Sequence, residues 1–136
     1  MKERNYTMPV KNIDIESEII NRVTDNGLSC ADAFEIAWKL QIPACDIGAA
    51  ADRLKLKLVK CQLGLFGYKP DKKIVKAEDF VSKELDDAIH KCLDDGKLLC
   101  VKSWEIAAAL NLSRYSVSCA CETLGIKIKE CQLGAF

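Results

Sequence analysis

The feature that most constrains the fold of this chain is an internal repeat. The segment FEIAWKLQIPACDIGAAADRLKLKLVKCQLGLF at 34–66 aligns without a gap to WEIAAALNLSRYSVSCACETLGIKIKECQLGAF at 104–136, at a constant offset of 70 residues. Both copies close on the phrase Cys-Gln-Leu-Gly-x-Phe. Upstream of Cys30 we expect the offset to fall to 69, which pairs Ile20 with Ile89. Self-similarity at a fixed offset indicates two copies of one small domain.

The composition and the N-terminal residues indicate a folded cytoplasmic protein. Of the 136 residues, 49% are hydrophobic, which is enough to form cores. The start, MKERNYTMPVKN, lacks the apolar region of a signal peptide, and no apolar run approaches the roughly 18 residues of a membrane span. We therefore expect no membrane association, and we expect the 8 cysteines to be thiols rather than disulfides.

The charges cancel overall but are unevenly distributed. The chain has 20 basic and 20 acidic side chains, which argues against indiscriminate nucleic-acid binding by the whole molecule. However, residues 55–76 contain seven lysines and a single acid, Asp71. A neutral chain with one basic stretch is still expected to present an electropositive face.

Each copy is predicted to form three helices followed by a β-hairpin. The third helix begins after Pro43 or Ser113, residue types that favour a helix start. Lysine then alternates with Leu or Ile, as in a half-buried strand, and we expect the chain to turn back at Gly64 and Gly134. The predicted class is mainly α with small β wings (α+β). Its predicted parts are a loosely ordered arm (1–12), a first repeat (13–67), a basic linker (68–77) and a second repeat (78–136).

Two helices joined by a tight three-residue turn and followed by a strand hairpin resemble the winged helix-turn-helix domains of bacterial and archaeal transcription regulators. The resemblance is carried by Ile36, Ala37 and Leu40 before the turn and by Ile47 and Leu54 after it, with the same pattern in the second copy. It implies a DNA-binding regulator in which the third helix contacts bases and the lysines of the wing contact phosphate. The implied contact residues in the second copy are Arg114, Tyr115, Ser116, Ser118, Thr123, Lys127 and Lys129. Those in the first copy are Arg53, Lys55, Lys57 and Lys60.

The third helix of the first copy favours a different use. Its solvent face is small and acidic, a poor surface for reading DNA. Small residues around Gly48 and Ala49 let another backbone approach closely, so this face is predicted to pack against the sister repeat or a second subunit. The alternative function is therefore a protein-interaction or assembly module that keeps the helix-turn-helix scaffold without binding DNA.

The cysteines leave two further alternatives open. Pairing of the segment before the second helix with the wing would bring Cys30 near Cys61 and Cys100 near Cys131. Four thiolates could hold zinc or an iron–sulfur cluster, or serve redox sensing, although no CxxC spacing is present. Otherwise these cysteines are small buried side chains and no cofactor is expected.

Two other sequence features bear on reactivity. Cys45 and Cys119 are predicted to be exposed and reactive. The lone histidine, His90, lies on an acidic helix without a nucleophile at readable spacing, so we expect no enzyme.

Overall fold

The computed structural model describes residues 7–68 and 73–136, with side chains from residue 15 onward. The first repeat comprises α1 (Thr7–Arg22), β1 (Gly27–Ser29), α2 (Cys30–Leu40), α3 (Ala44–Arg53) and β2 (Lys57–Val59). The second comprises α4 (Lys83–Lys91), β3 (Leu98–Leu99), α5 (Cys100–Leu110), α6 (Arg114–Leu124) and β4 (Ile128–Lys129). The described chain is thus mainly helical with a few short strands, in agreement with the predicted α+β class.

The start of the first repeat differs from the prediction. Helix α1 begins at Thr7, inside the segment that was expected to be loosely ordered, while residues 1–6 lie outside the described residues. On α1 the buried positions are Ile15 and Ile19, and Ile20 is 62% exposed. Because the counterpart helix α4 buries Leu85 and Ile89, the offset stays at 70 and the predicted shift to 69 is wrong.

The predicted β-hairpins are also wrong. Strand β2 pairs in parallel with β1, placing Gly27 opposite Lys57, and β4 pairs in parallel with β3. The partner strand therefore comes from before the second helix of each repeat and not from beyond the turn. The strand ends at Val59 because Lys60 takes a left-handed conformation (φ 53°), which an extended strand does not accommodate.

The repeated phrase Cys-Gln-Leu-Gly-x-Phe forms a closed loop. In the first repeat the Cys61 amide donates to the Phe66 carbonyl (3.2 Å), and the Gly64 amide donates to the Cys61 carbonyl (2.9 Å). The second repeat makes the same two bonds, each at 2.9 Å. The glycine has a positive φ in both loops, 76° and 85°, a conformation that glycine adopts without steric cost. The sequence is therefore repeated because each repeat needs the same turn.

Each loop docks on the opposite repeat. Leu133 of the second loop is 3% exposed and belongs to the core of the first repeat, where Gly48 of α3 lies against its backbone. A β-carbon on Gly48 would overlap the Leu133 carbonyl oxygen and lie 2.9 Å from the carbonyl carbon. In the other direction, Gly64 of the first loop packs against Tyr115 of α6. Gly48 of the small-residue face therefore packs against the sister repeat, whereas its neighbour Ala49 is exposed.

The two repeats are related by an approximate twofold axis, because equivalent residues of the two copies contact each other. Phe34 packs on Trp104, its counterpart at the offset of 70, with ring centroids 4.3 Å apart. Phe66 and Phe136 meet edge to face, with centroids 5.9 Å apart. In a twofold interface, a residue that touches its own counterpart lies near the axis. The repeats therefore pack as a symmetric dimer would, but within one chain.

Candidate binding groove between the repeats

Arg114, the first residue of α6, links the two repeats. Its guanidinium donates a hydrogen bond to the side-chain oxygen of Gln62, at 2.6 Å, in the loop of the first repeat. The same guanidinium lies 3.5 Å from the centre of the Trp104 ring, a cation–π geometry. A side chain held on both sides in this way is not available to a base edge without breaking contacts between the repeats.

Two other polar residues of α6 bond to the chain that connects the repeats. The Tyr115 hydroxyl donates to the Ile74 carbonyl (2.8 Å), and the Thr123 hydroxyl accepts from the Glu78 amide (2.6 Å). Residues 73–78, which comprise the end of the predicted linker and the first residue of the predicted second repeat, thus lie across α6, while residues 69–72 are outside the described ranges.

Two serines of α6 are occupied or buried within the second repeat. The Ser116 amide donates to the Ser113 hydroxyl (3.0 Å), the N-terminal cap of this helix, and the two hydroxyls are 2.8 Å apart. Ser118 is only 2% exposed. The polar face of α6 that was predicted to read DNA therefore points into contacts within the chain.

The basic side chains divide into paired and unpaired groups. Lys129 forms an ion pair with Asp94 (3.1 Å), and this hydrogen bond raises the pKa of Lys129. The remaining predicted phosphate contacts are all exposed, and they form no ion pair with another described residue. They are Arg53, Lys55, Lys57, Lys60 and Lys127.

A groove of about 1040 Å³ lies between the repeats. Its walls contain matched residues from the two copies, because the approximate twofold axis passes through it. The matched pairs are Asp52 and Glu122, Leu56 and Ile126, Lys57 and Lys127, Leu58 and Ile128, Leu65 and Ala135, and Phe66 and Phe136. Pockets for small ligands are typically about 300–1,000 Å³, so this groove has about the size of a ligand site, with apolar and charged residues in its walls. Sequence reasoning missed it, since it exists only once the repeats are packed together.

The four cysteines proposed as metal ligands lie near the interface. Gln62 donates its side-chain amide to the Cys30 sulfur (3.7 Å), and Gln132 does the same to Cys100 (3.6 Å). Burial raises the pKa of the Cys30 thiol to about 11. Protonated thiols are poor metal ligands. Among the side chains that the structure describes, no three from His, Cys, Asp or Glu form a group that could hold a metal.

The other cysteines differ in how far they are buried. Cys45 is exposed, as predicted. Cys119 is 3% exposed, so the prediction of an exposed thiol there is wrong; that side of α6 faces protein and not solvent. Burial raises the pKa of the neighbouring Cys121 to about 12.

The chain matches no family model, no curated protein and no solved structure. Among the helices described, none has the length and apolar character needed to cross a bilayer. The functional argument therefore depends on the geometry of the groove and of α6.

Proposed function

We propose that this protein is a binding module on a helix-turn-helix-like scaffold that does not read DNA with its third helices, and that its partner binds in the groove between the repeats. The observation that carries this proposal is the position of Arg114, held between Gln62 and Trp104. The most prominent base-reading candidate on α6 is used to join the repeats. On α3, the corresponding face exposes Asp46 and Asp52, which would repel phosphate.

The groove supports the second half of the proposal. Both copies line this groove, with apolar residues such as Leu56 and Ile126 beside the lysines at the equivalent positions 57 and 127. A concave site that combines apolar walls with a few polar groups is the usual form of a ligand site.

Duplex DNA remains a second candidate partner, through phosphate contacts alone. It is favoured by the five exposed basic side chains, Arg53, Lys55, Lys57, Lys60 and Lys127, which have no ion pair to other residues in the described ranges. If all five contacted phosphate, the logarithm of affinity would fall with the logarithm of salt concentration with a slope of about −4 to −5. Such binding would show little sequence preference.

A fluorescence-anisotropy titration against mixed duplex DNA, at low and moderate salt, tests the role of α6. We expect Arg114→Gln to leave any DNA affinity unchanged when the variant retains its circular dichroism spectrum. If duplex DNA binds through phosphate contacts, the matched variant Lys55→Gln/Lys60→Gln should weaken that binding. Sequence-selective binding that is lost in a folded Arg114→Gln variant would refute the proposal.

Nile red, a neutral dye that fluoresces in apolar surroundings, tests the groove itself. Ala135 lines the groove and is exposed, so Ala135→Trp places a large ring inside it and should abolish dye binding. The control is Ala108→Trp, because the counterpart of Ala108 in the first repeat is already an exposed tryptophan, Trp38. Equal dye binding by both variants would show that the groove is not the site.

A further inference from the structure

The charged residues of the groove do not balance one another. Three lysines and two acids line it. Lys73 is paired with Glu122 at 3.4 Å, which leaves Lys57 and Lys127 against Asp52 alone. Both lysines are exposed, and they are equivalent positions of the two repeats. The groove therefore has an excess of positive charge beside apolar walls.

A buried hydroxyl in the groove wall lacks a partner. Ser118 lines the groove and is 2% exposed, yet its hydroxyl forms no hydrogen bond within the part of the chain that the structure describes. Buried polar groups are normally hydrogen-bonded, so an unpaired hydroxyl at this position costs stability. Its counterpart in the first repeat is Gly48, which has no side chain and lies against the Leu133 backbone.

We propose that the groove binds a small amphipathic anion, with its carboxylate or phosphate head between Lys57 and Lys127 and its apolar body against Phe66 and Phe136. This inference rests on the proposed function, since it names the chemical class of the partner that the groove accepts. The charged head gains affinity from its contacts with the two ammonium groups. The apolar tail gains affinity because it leaves water.

Displacement of Nile red by four compounds with the same alkyl chain tests the head group. Tridecanoate and dodecyl phosphate carry an anion, dodecanol is neutral and dodecyltrimethylammonium is a cation; all are used below their solubility limits and micelle concentrations. We expect both anions to displace the dye at about tenfold lower concentration than dodecanol, the factor that one charge-assisted contact supplies. The relative strength of the two anions identifies which head group fits better.

Two variants connect this preference to the residues. Lys57→Gln/Lys127→Gln should remove the difference between the anions and dodecanol, whereas the control Lys55→Gln/Lys60→Gln, whose residues do not line the groove, should preserve it. Ser118→Ala should raise the urea midpoint, because it removes an unpaired buried hydroxyl, and should leave anion binding unchanged.

The outcomes separate this inference from the proposed function. If dodecanol displaces the dye as well as the anions do, the anionic preference is refuted while a binding groove still exists. If the dye does not bind at all, both proposals fail. An anion preference that persists in Lys57→Gln/Lys127→Gln would place the site elsewhere and also overturn the inference.

Discussion

Replacing Gly48 by alanine separates helix propensity from the contact between the repeats. Gly48 lies inside α3, where alanine is favoured over glycine by about 1 kcal/mol. However, a β-carbon there would overlap the backbone of Leu133, 2.9 Å from its carbonyl carbon. A backbone carbonyl does not rotate away as a flexible side chain does, so the second loop must shift and draw Leu133 out of the core of the first repeat.

The two effects differ enough in size to decide whether Gly48→Ala raises or lowers the free energy of unfolding. Losing a buried leucine from a core costs about 2–5 kcal/mol. Subtracting the gain in propensity, we expect Gly48→Ala to lower the free energy of unfolding by about 1–4 kcal/mol. Urea unfolding followed by tryptophan fluorescence measures this, since Trp104 lies on Phe34 across the interface.

A neighbouring substitution provides the matched control. Ala49 is exposed on the same helix, so Ala49→Gly should cost about 1 kcal/mol through propensity alone. If Gly48→Ala instead stabilises the protein by the amount expected from propensity, Leu133 does not approach α3 closely and the packing of the two repeats as described here is refuted.

Two further predictions concern the backbone and the thiols. Lys55 has φ 60° at the position where the second repeat has Gly125 (φ 72°), so Lys55→Gly should raise the free energy of unfolding by about 1 kcal/mol in urea denaturation; a loss of stability would contradict this. The folded-state pKa values of Cys30 (about 11) and Cys121 (about 12) lie above the ordinary 9.0. The stability they contribute is therefore complete below pH 9 and falls as the pH rises above it, because the unfolded chain loses these protons first. Under reducing conditions, Cys121→Ala should show a shallower fall between pH 8 and 10.5 than the parent, and an unchanged slope would refute the assignment.

Much of the architecture followed from local patterns. The helix start after Ser113 depends on residues close together in sequence, and the Ser113 hydroxyl caps α6 as expected. The hairpin failed because the alternation of lysine and leucine at 55–58 indicates a strand but does not identify its partner. Parallel pairing with Gly27–Ser29 depends on residues distant in sequence.

The predicted DNA-contact residues show the same difference between what local sequence indicates and what distant packing decides. Residue type made Arg114, Tyr115 and Thr123 reasonable candidates for DNA contact, since all three carry hydrogen-bonding groups on one helix. The exposure of that face, however, depends on what packs against it, and the structure places the first loop and residues 73–78 there.

By itself, the sequence determined that there are two repeats, that each has three helices, and that each ends in the same glycine-containing turn. These properties come from periodicity, capping and backbone conformation, which act over a few residues. Only the tertiary structure decided that each loop packs on the opposite repeat, that Gly48 lies against the backbone of Leu133, and that a groove with three lysines lies between the repeats. Close packing of distant segments has no local signature, so the position of Arg114 between Gln62 and Trp104 does not follow from the sequence of α6 alone.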